Sequence, residues 1–152
     1  MNLQATRRQF LAATGGAAAA LMVRPAQATP ASMAAAIRQV VAEASVKPGR
    51  VKLELPPLVE NGNTVAMAVT VDSPMTANDH VKAIHVFTEK NPQPNVISAK
   101  LGPRAGKAEI QTRVRLADTE TVVAICEMSD GSFWSNTVDV IITLGACLED
   151  PV

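Results

Sequence analysis

The chain has 152 residues, 47% of them hydrophobic and 18% charged, with 14 basic residues against 14 acidic ones. That is the length of one domain with enough apolar content for a core. A net charge of +0 and 3% aromatic residues exclude the basic, aromatic-laced surface of a nucleic-acid binder.

The N-terminus reads as an address. Thr6-Arg7-Arg8-Gln9-Phe10-Leu11 is a twin-arginine pattern, followed by a small-residue apolar segment from Leu11 to Val23 and by Ala26-Gln27-Ala28, an A-x-A peptidase site. The apolar segment is too short and too rich in Gly and Ala to remain as an anchor. Residues 1–28 are therefore expected to be a twin-arginine signal peptide, cleaved after Ala28, that exports a folded domain to the periplasm. Removal takes away Arg7, Arg8 and Arg24 and no acid, leaving a mildly acidic mature domain.

The body reads as one helix and about seven strands. Met33, Ile37, Val40, Val41 and Ala44 recur at helical spacing, which predicts an amphipathic helix over Ser32–Ser45 with Ser32 as N-cap and Lys47-Pro48-Gly49 as its stop, within an N-terminal helical unit spanning 29–46. The period then falls to two. Val51, Leu53 and Leu55 mark a strand closed by Pro56-Pro57; Val65, Met67, Val69 and Val71 mark a second after the Asn61-Gly62-Asn63 turn. Val81–Thr88 is apolar on both faces and suits a central strand. Asn91-Pro92-Gln93-Pro94-Asn95 is a loop, because two prolines remove ladder donors. Val96–Leu101 and Lys107–Leu116 follow, the latter with Ala108, Ile110, Thr112, Val114 and Leu116 inward.

Thr121–Met128 and Phe133–Ile142 form the last hairpin around Asp130-Gly131, a strong two-residue turn signal. Short strands at this spacing predict an all-β fold: an immunoglobulin-like antiparallel β-sandwich over 47–142, with the helix against its end or edge and a C-terminal arm over 143–152.

Chemistry-bearing residues are sparse. No G-x-S-x-G, H-E-x-x-H or phosphate loop is present, so no catalytic residues are assigned. His80 and His85 fall on opposite faces of their strand and read as structural or surface residues; with the two cysteines they show no metal-ligand spacing, so no metal site is assigned. Phe133 and Trp134 read as packing on the sandwich end. A turn between Asp130 and Gly131 places Cys126 opposite Ser135, twelve residues before Cys147. Cys147 would then lie about 40 Å further along the strand direction. The five residues after Ile142 reach back about 17 Å, and a bridge needs Cα atoms within about 7 Å, so an intramolecular disulfide is disfavoured. Cys126, alternating with Val122, Ala124 and Met128, reads as core; Cys147, five residues from the end, reads as a thiol on an arm that other proteins visit, the alternatives being a tail docked on the sandwich or an accidental intermolecular bridge.

Several stretches together resemble one family. They are Leu55-Pro56, Glu60 to Val65, Val71-Asp72-Ser73-Pro74-Met75, Ile84-His85-Val86-Phe87, Asn91-Pro92, Lys107-Ala108-Glu109 and Met128-Ser129-Asp130-Gly131-Ser132-Phe133-Trp134. With the twin-arginine signal, the chain resembles SoxY, the sulfur carriers of periplasmic thiosulfate oxidation. The resemblance implies an immunoglobulin-like sandwich with no catalytic machinery and no cofactor, paired as a heterodimer with SoxZ. It also implies a C-terminal cysteine, here Cys147, that carries sulfur species covalently between SoxAX-, SoxB- and SoxCD-like enzymes. The family's arm reads Gly-Gly-Cys-Gly-Gly. Here Gly145 matches, whereas Ala146, Leu148 and Glu149 replace glycines, and Asp150-Pro151-Val152 extend the tail. Gly145 and Ala146 are expected to give the arm its flexibility. The rival expectations are a non-carrier structural partner of a SoxZ-like protein whose arm has decayed, and a periplasmic binding or adhesion sandwich.

Overall fold

A computed structural model of the chain describes residues 29–146; residues 1–28, where a signal peptide is expected, and residues 147–152, with Cys147, lie outside the described residues. The elements in order are α1 (Pro30–Val41), β1 (Val46–Pro48), β2 (Val51–Glu54), β3 (Leu58–Val59), β4 (Val65–Val71), β5 (Val81–Thr88), β6 (Asn95–Lys100), β7 (Glu109–Val114), β8 (Glu120–Met128) and β9 (Phe133–Ile142). No helix among the described residues is long and apolar enough to cross a membrane.

Two sheets face each other across one core, so the expected all-β sandwich is the fold, with a single helix among the described residues. The larger sheet runs β1-β9-β8-β5-β6, with β3 also pairing on β9; the smaller runs β2-β4-β7. β4 shows why these strands form: Val65, Met67, Val69 and Val71 are buried while the residues between them are not. The opposing sheet meets them through Ile84, Val86, Val122, Ala124, Cys126 and Val140. Burying aliphatic side chains of this size contributes about 1.5–3 kcal/mol each.

β5 is central, between β8 and β6, as its two apolar faces predict. Its second face explains the helix. Phe87, Ile125, Val123 and Phe133 point away from the sandwich core and are covered by Met33, Ala36, Ile37, Val40 and Val41 of α1. The helix therefore lies on the outer face of the large sheet rather than at an end or edge, because β5 and β8 carry a second apolar row that has to be removed from water. The same cluster takes Phe133, which packs under α1 rather than on the sandwich end.

α1 begins and ends earlier than its periodicity implies. Thr29 is the N-cap, Pro30 takes the first turn, and Thr29 and Ser32 form a reciprocal capping box, so Ser32 is the third helical residue and not the cap. Ala42, at φ 51°, closes the helix by donating its N–H to the Arg38 carbonyl. The expected helix stop lies elsewhere in the fold: Val46–Pro48 is an edge strand running parallel to Phe133–Ser135. Pro48 is tolerated there because an edge strand leaves one row of donors unused.

The hairpin is one residue out of the expected register. The Gly131 N–H donates to the Met128 carbonyl, Gly131 sits at φ 80°, and the Met128 N–H donates to the Ser132 carbonyl. That is a three-residue loop whose left-handed position only glycine occupies without strain, not a two-residue turn. Cys126 consequently pairs with Trp134, and Ile125 with Ser135.

Candidate functional site

The residue expected to attach sulfur, Cys147, lies outside the described residues; the segment that precedes it, Thr143–Ala146, is described and docked. Past Ile142 the chain leaves β9 and seats on two loops. The Thr143 N–H donates to the Val59 carbonyl and its hydroxyl to the Glu60 carbonyl, 3.0 and 3.1 Å. The Gly62 N–H donates to the Leu144 carbonyl at 2.7 Å, and the Ala146 N–H to the Leu116 carbonyl at 2.9 Å. The Leu116 N–H in turn donates to the Gly62 carbonyl, so Gly62, Leu116 and Ala146 are laced by backbone alone.

Two glycines make this approach feasible. A Cβ at Gly62 would fall far inside contact distance of the Leu116 carbonyl oxygen and 2.9 Å from the Ala146 nitrogen. A Cβ at Gly145 would collide with the Ala117 carbonyl. Gly145 is thus required by a close backbone approach, and Ala146 is 1% exposed. Their expected part is arm flexibility; in the structure the Ala146 N–H is bonded to the Leu116 carbonyl and Gly145 lies against the Ala117 carbonyl.

The loop beneath Gly145 is itself braced by side chains. Asn91 Oδ1 accepts from the Ala117 N–H at 2.8 Å, and Asn91 Nδ2 donates to the Arg115 carbonyl at 2.8 Å. Glu120 Oε1 also accepts from the Ala117 N–H, at 3.2 Å, while its Oε2 accepts from the Lys90 N–H at 2.7 Å. Glu120 is buried, and that burial holds its carboxyl above the usual range although the amide donors pull the other way. On the surface above, Lys90 Nζ pairs with Asp118 at 3.0 Å. Leu58, Ile141 and Leu144 are the large hydrophobic side chains left exposed among the described residues; Leu58 and Ile141 are register partners beside the root.

Cys126 offers no alternative site. It is a free cysteine, 0% exposed, near the end of β8 with its sulfur 4.0 Å from Met128 Sδ. Burial pushes its thiol up to about 11. A thiol with so little thiolate at neutral pH and no access is a core residue, not a nucleophile. The histidines are separately satisfied: His80 Nδ1 lies 3.1 Å from the Thr76 carbonyl and His85 Nδ1 2.9 Å from Ser98 Oγ. Trp134 is half-buried under the cations of Lys47 and Arg50, at 5.5 and 5.8 Å, and donates to Ser132 Oγ.

Sequence reasoning did not single out Gly62, Asn91, Ala117 or Glu120 as functional residues. A signal existed for two of them: an acidic residue leading the apolar run Thr121–Met128, and an Asn directly before Pro92. Nothing local to Ala117 marks it.

A family model described as Sulfur oxidation protein SoxY matches residues 37–147, a span that begins within α1 and ends on Cys147. No curated protein matches the chain. Among solved structures, the sulfur carrier protein SoxY from Chlorobium limicola f thiosulfatophilum is 25% identical with a TM-score of 0.64, covering 76% of this chain and 100% of that one. A putative superoxide reductase from Thermotoga maritima is 20% identical, TM-score 0.55, covering 64% of this chain and 93% of that one. A superoxide reductase (neelaredoxin) from Ignicoccus hospitalis is 16% identical, TM-score 0.55, covering 76% and 94%. At those identities the two reductases share the sandwich alone, and a fold carries no chemistry with it. Among the described residues no three His, Cys, Asp or Glu side chains group in a way that could hold a metal ion. The family model spans well over half of the chain and the SoxY structure superposes on the same sandwich over its whole length: the chain belongs to the SoxY family of sulfur oxidation proteins.

Proposed function

We propose that this protein is a sulfur carrier of thiosulfate oxidation that holds its cargo covalently on Cys147 and has no catalytic centre of its own. The observation that carries the reading is the contrast between the chain's two cysteines. The family match extends to Cys147, while Cys126 is sealed in the core with its thiol pushed up to about 11. The chemistry then follows from sulfur–sulfur bonding. The Cys147 thiolate joins the outer sulfur of thiosulfate, and the pair of electrons released passes to a haem enzyme of the SoxAX kind. Water then splits the distal sulfur–sulfur bond under a SoxB-like hydrolase, releasing sulfate and two protons and leaving a persulfide on Cys147. A SoxCD-like dehydrogenase is the proposed consumer of that persulfide.

The carrier is proposed to work as a heterodimer with a SoxZ-like protein in the periplasm. Export by the pattern at Arg7 and Arg8 supports the compartment, and the family membership supports the partner. Mass spectrometry of the C-terminal peptide after turnover with thiosulfate and the partner enzymes tests the reading. An adduct on the Cys147 peptide that disappears in Cys147→Ser is expected. No adduct on the wild type overturns it.

A second reading, a structural partner that no longer carries sulfur, is favoured by one observation: Ala146 is buried where the family has a glycine. Unchanged thiosulfate oxidation by Cys147→Ser in the reconstituted system would select it.

A further inference from the structure

We propose that Asn91 and Glu120 are positioning residues for the C-terminal arm. By fixing the Arg115–Thr119 turn they hold the carbonyls on which Gly145 and Ala146 seat, and so set the point from which Cys147 leaves the domain. The functional consequence rests on the carrier reading above; the docking itself does not.

Ala117 is the pivot. Its N–H is held from one side by two side-chain acceptors, Asn91 Oδ1 at 2.8 Å and Glu120 Oε1 at 3.2 Å. Its carbonyl points to the other side, into the space a Cβ at Gly145 would fill. Fixing the N–H and, through Asn91 Nδ2, the Arg115 carbonyl at 2.8 Å leaves the intervening backbone little room to rotate. That backbone includes Leu116, whose carbonyl receives the Ala146 N–H at 2.9 Å and whose N–H donates to the Gly62 carbonyl. The same two side chains also tie in the loop after β5, since Glu120 Oε2 accepts from the Lys90 N–H at 2.7 Å. The segments around Gly62 and Ala117 thereby meet the arm directly, and the loop at Lys90 is tied to the second of them.

A carboxylate is a costly way to fill space. Glu120 is 4% exposed, and the neighbouring cation, Lys90 Nζ, goes to Asp118 rather than to Glu120. A buried carboxylate satisfied only by amide donors is destabilising relative to an apolar residue unless those amides need fixing. Here one of those amides, that of Ala117, lies between the Leu116 carbonyl that receives the Ala146 N–H and the Ala117 carbonyl that lies against Gly145. Asn91, 8% exposed, uses both ends of its amide on the same turn.

Amide hydrogen exchange on the full chain tests the proposal, read at Ala146 and Gly62 against Val86 and Ala124 in the sheet centre. Asn91→Ala and Glu120→Ala are expected to speed exchange at Ala146 and Gly62 about tenfold or more while the sheet amides keep their protection. Glu120→Gln retains one acceptor and is expected to restore part of the protection. A nitroxide on Cys147 supplies the second readout, with a narrower spectrum expected in Asn91→Ala and Glu120→Ala than in the wild type. Unchanged exchange at Ala146 and an unchanged nitroxide spectrum overturn the proposal. So does an equal loss of protection at Val86 and Ala124 in all three variants, which marks a general stabilising role. A loosened arm in a protein that never acquires sulfur on Cys147 supports the positioning and overturns the carrier reading alone.

Discussion

β9 is held by unlike means at its two ends. At its start, Val46–Pro48 pairs in parallel with Phe133–Ser135, Phe133 is roofed by α1, and Trp134 is capped by Lys47 and Arg50. At its finish, Leu58–Val59 pairs in parallel with Ile141–Ile142, Ile141 is exposed, and the chain continues into a root held by backbone hydrogen bonds around two glycines. The first end is stabilised by side-chain volume, which tolerates conservative exchange. The second is stabilised by close approach of main chains, which tolerates no added atom. Two ends of one strand thus respond to different kinds of change.

The largest effect should fall on the side-chain end. Phe133→Ala removes most of a buried aromatic from the cluster beneath α1 and is expected to cost about 3–5 kcal/mol. Urea denaturation would show it, with helix signal lost ahead of sheet signal. A cost below about 1 kcal/mol would mean that the helix contributes little to this end. Gly62→Ala attacks the other end, where the new methyl meets the Leu116 carbonyl and the Ala146 nitrogen. About 1–3 kcal/mol of destabilisation is expected, with exchange at the Ala146 amide rising further than exchange in the sheet. Uniform loosening would erase the distinction between the two ends.

The smallest expected effect is a pH dependence on the helix-bearing face. His85 lies beside Phe87, ring centroids 6.3 Å apart, and burial holds its imidazole below 6.5 despite the opposing charge of Glu127. The folded protein therefore binds the proton less readily than the unfolded chain. Stability from this residue is complete above the ordinary value of 6.5 and is lost as pH falls through it towards the lowered folded value. His85→Gln should flatten the urea midpoint between about pH 5 and pH 7. An undiminished acid slope would assign it to other groups.

Much of this was legible residue by residue. The alternation in Val65–Val71 and the two apolar faces of Val81–Thr88 marked those strands, and Cys126 fell in the core because it keeps step with Val122, Ala124 and Met128. The helix was visible, but its seat was not: Phe87, Val123 and Ile125 form the second apolar row of β5 and β8 only once those strands are neighbours. The Asp130-Gly131 turn was visible too, yet which loop length it closes depends on where Gly131 takes up its left-handed conformation, and that shifted Cys126 from Ser135 to Trp134.

The arm's root divides the same way. The order of amino acids alone marked Cys126 as the core cysteine, since composition and strand period are local properties that a single segment carries by itself. The seating of Gly145 and Ala146 on Gly62, Leu116 and Ala117, and the bracing of that seat by Asn91 and Glu120, were decided only in the folded molecule. Apart from the local Ala117–Glu120 contact, those hydrogen bonds join segments distant along the chain, and a main-chain donor leaves no trace in the identity of the residue that bears it.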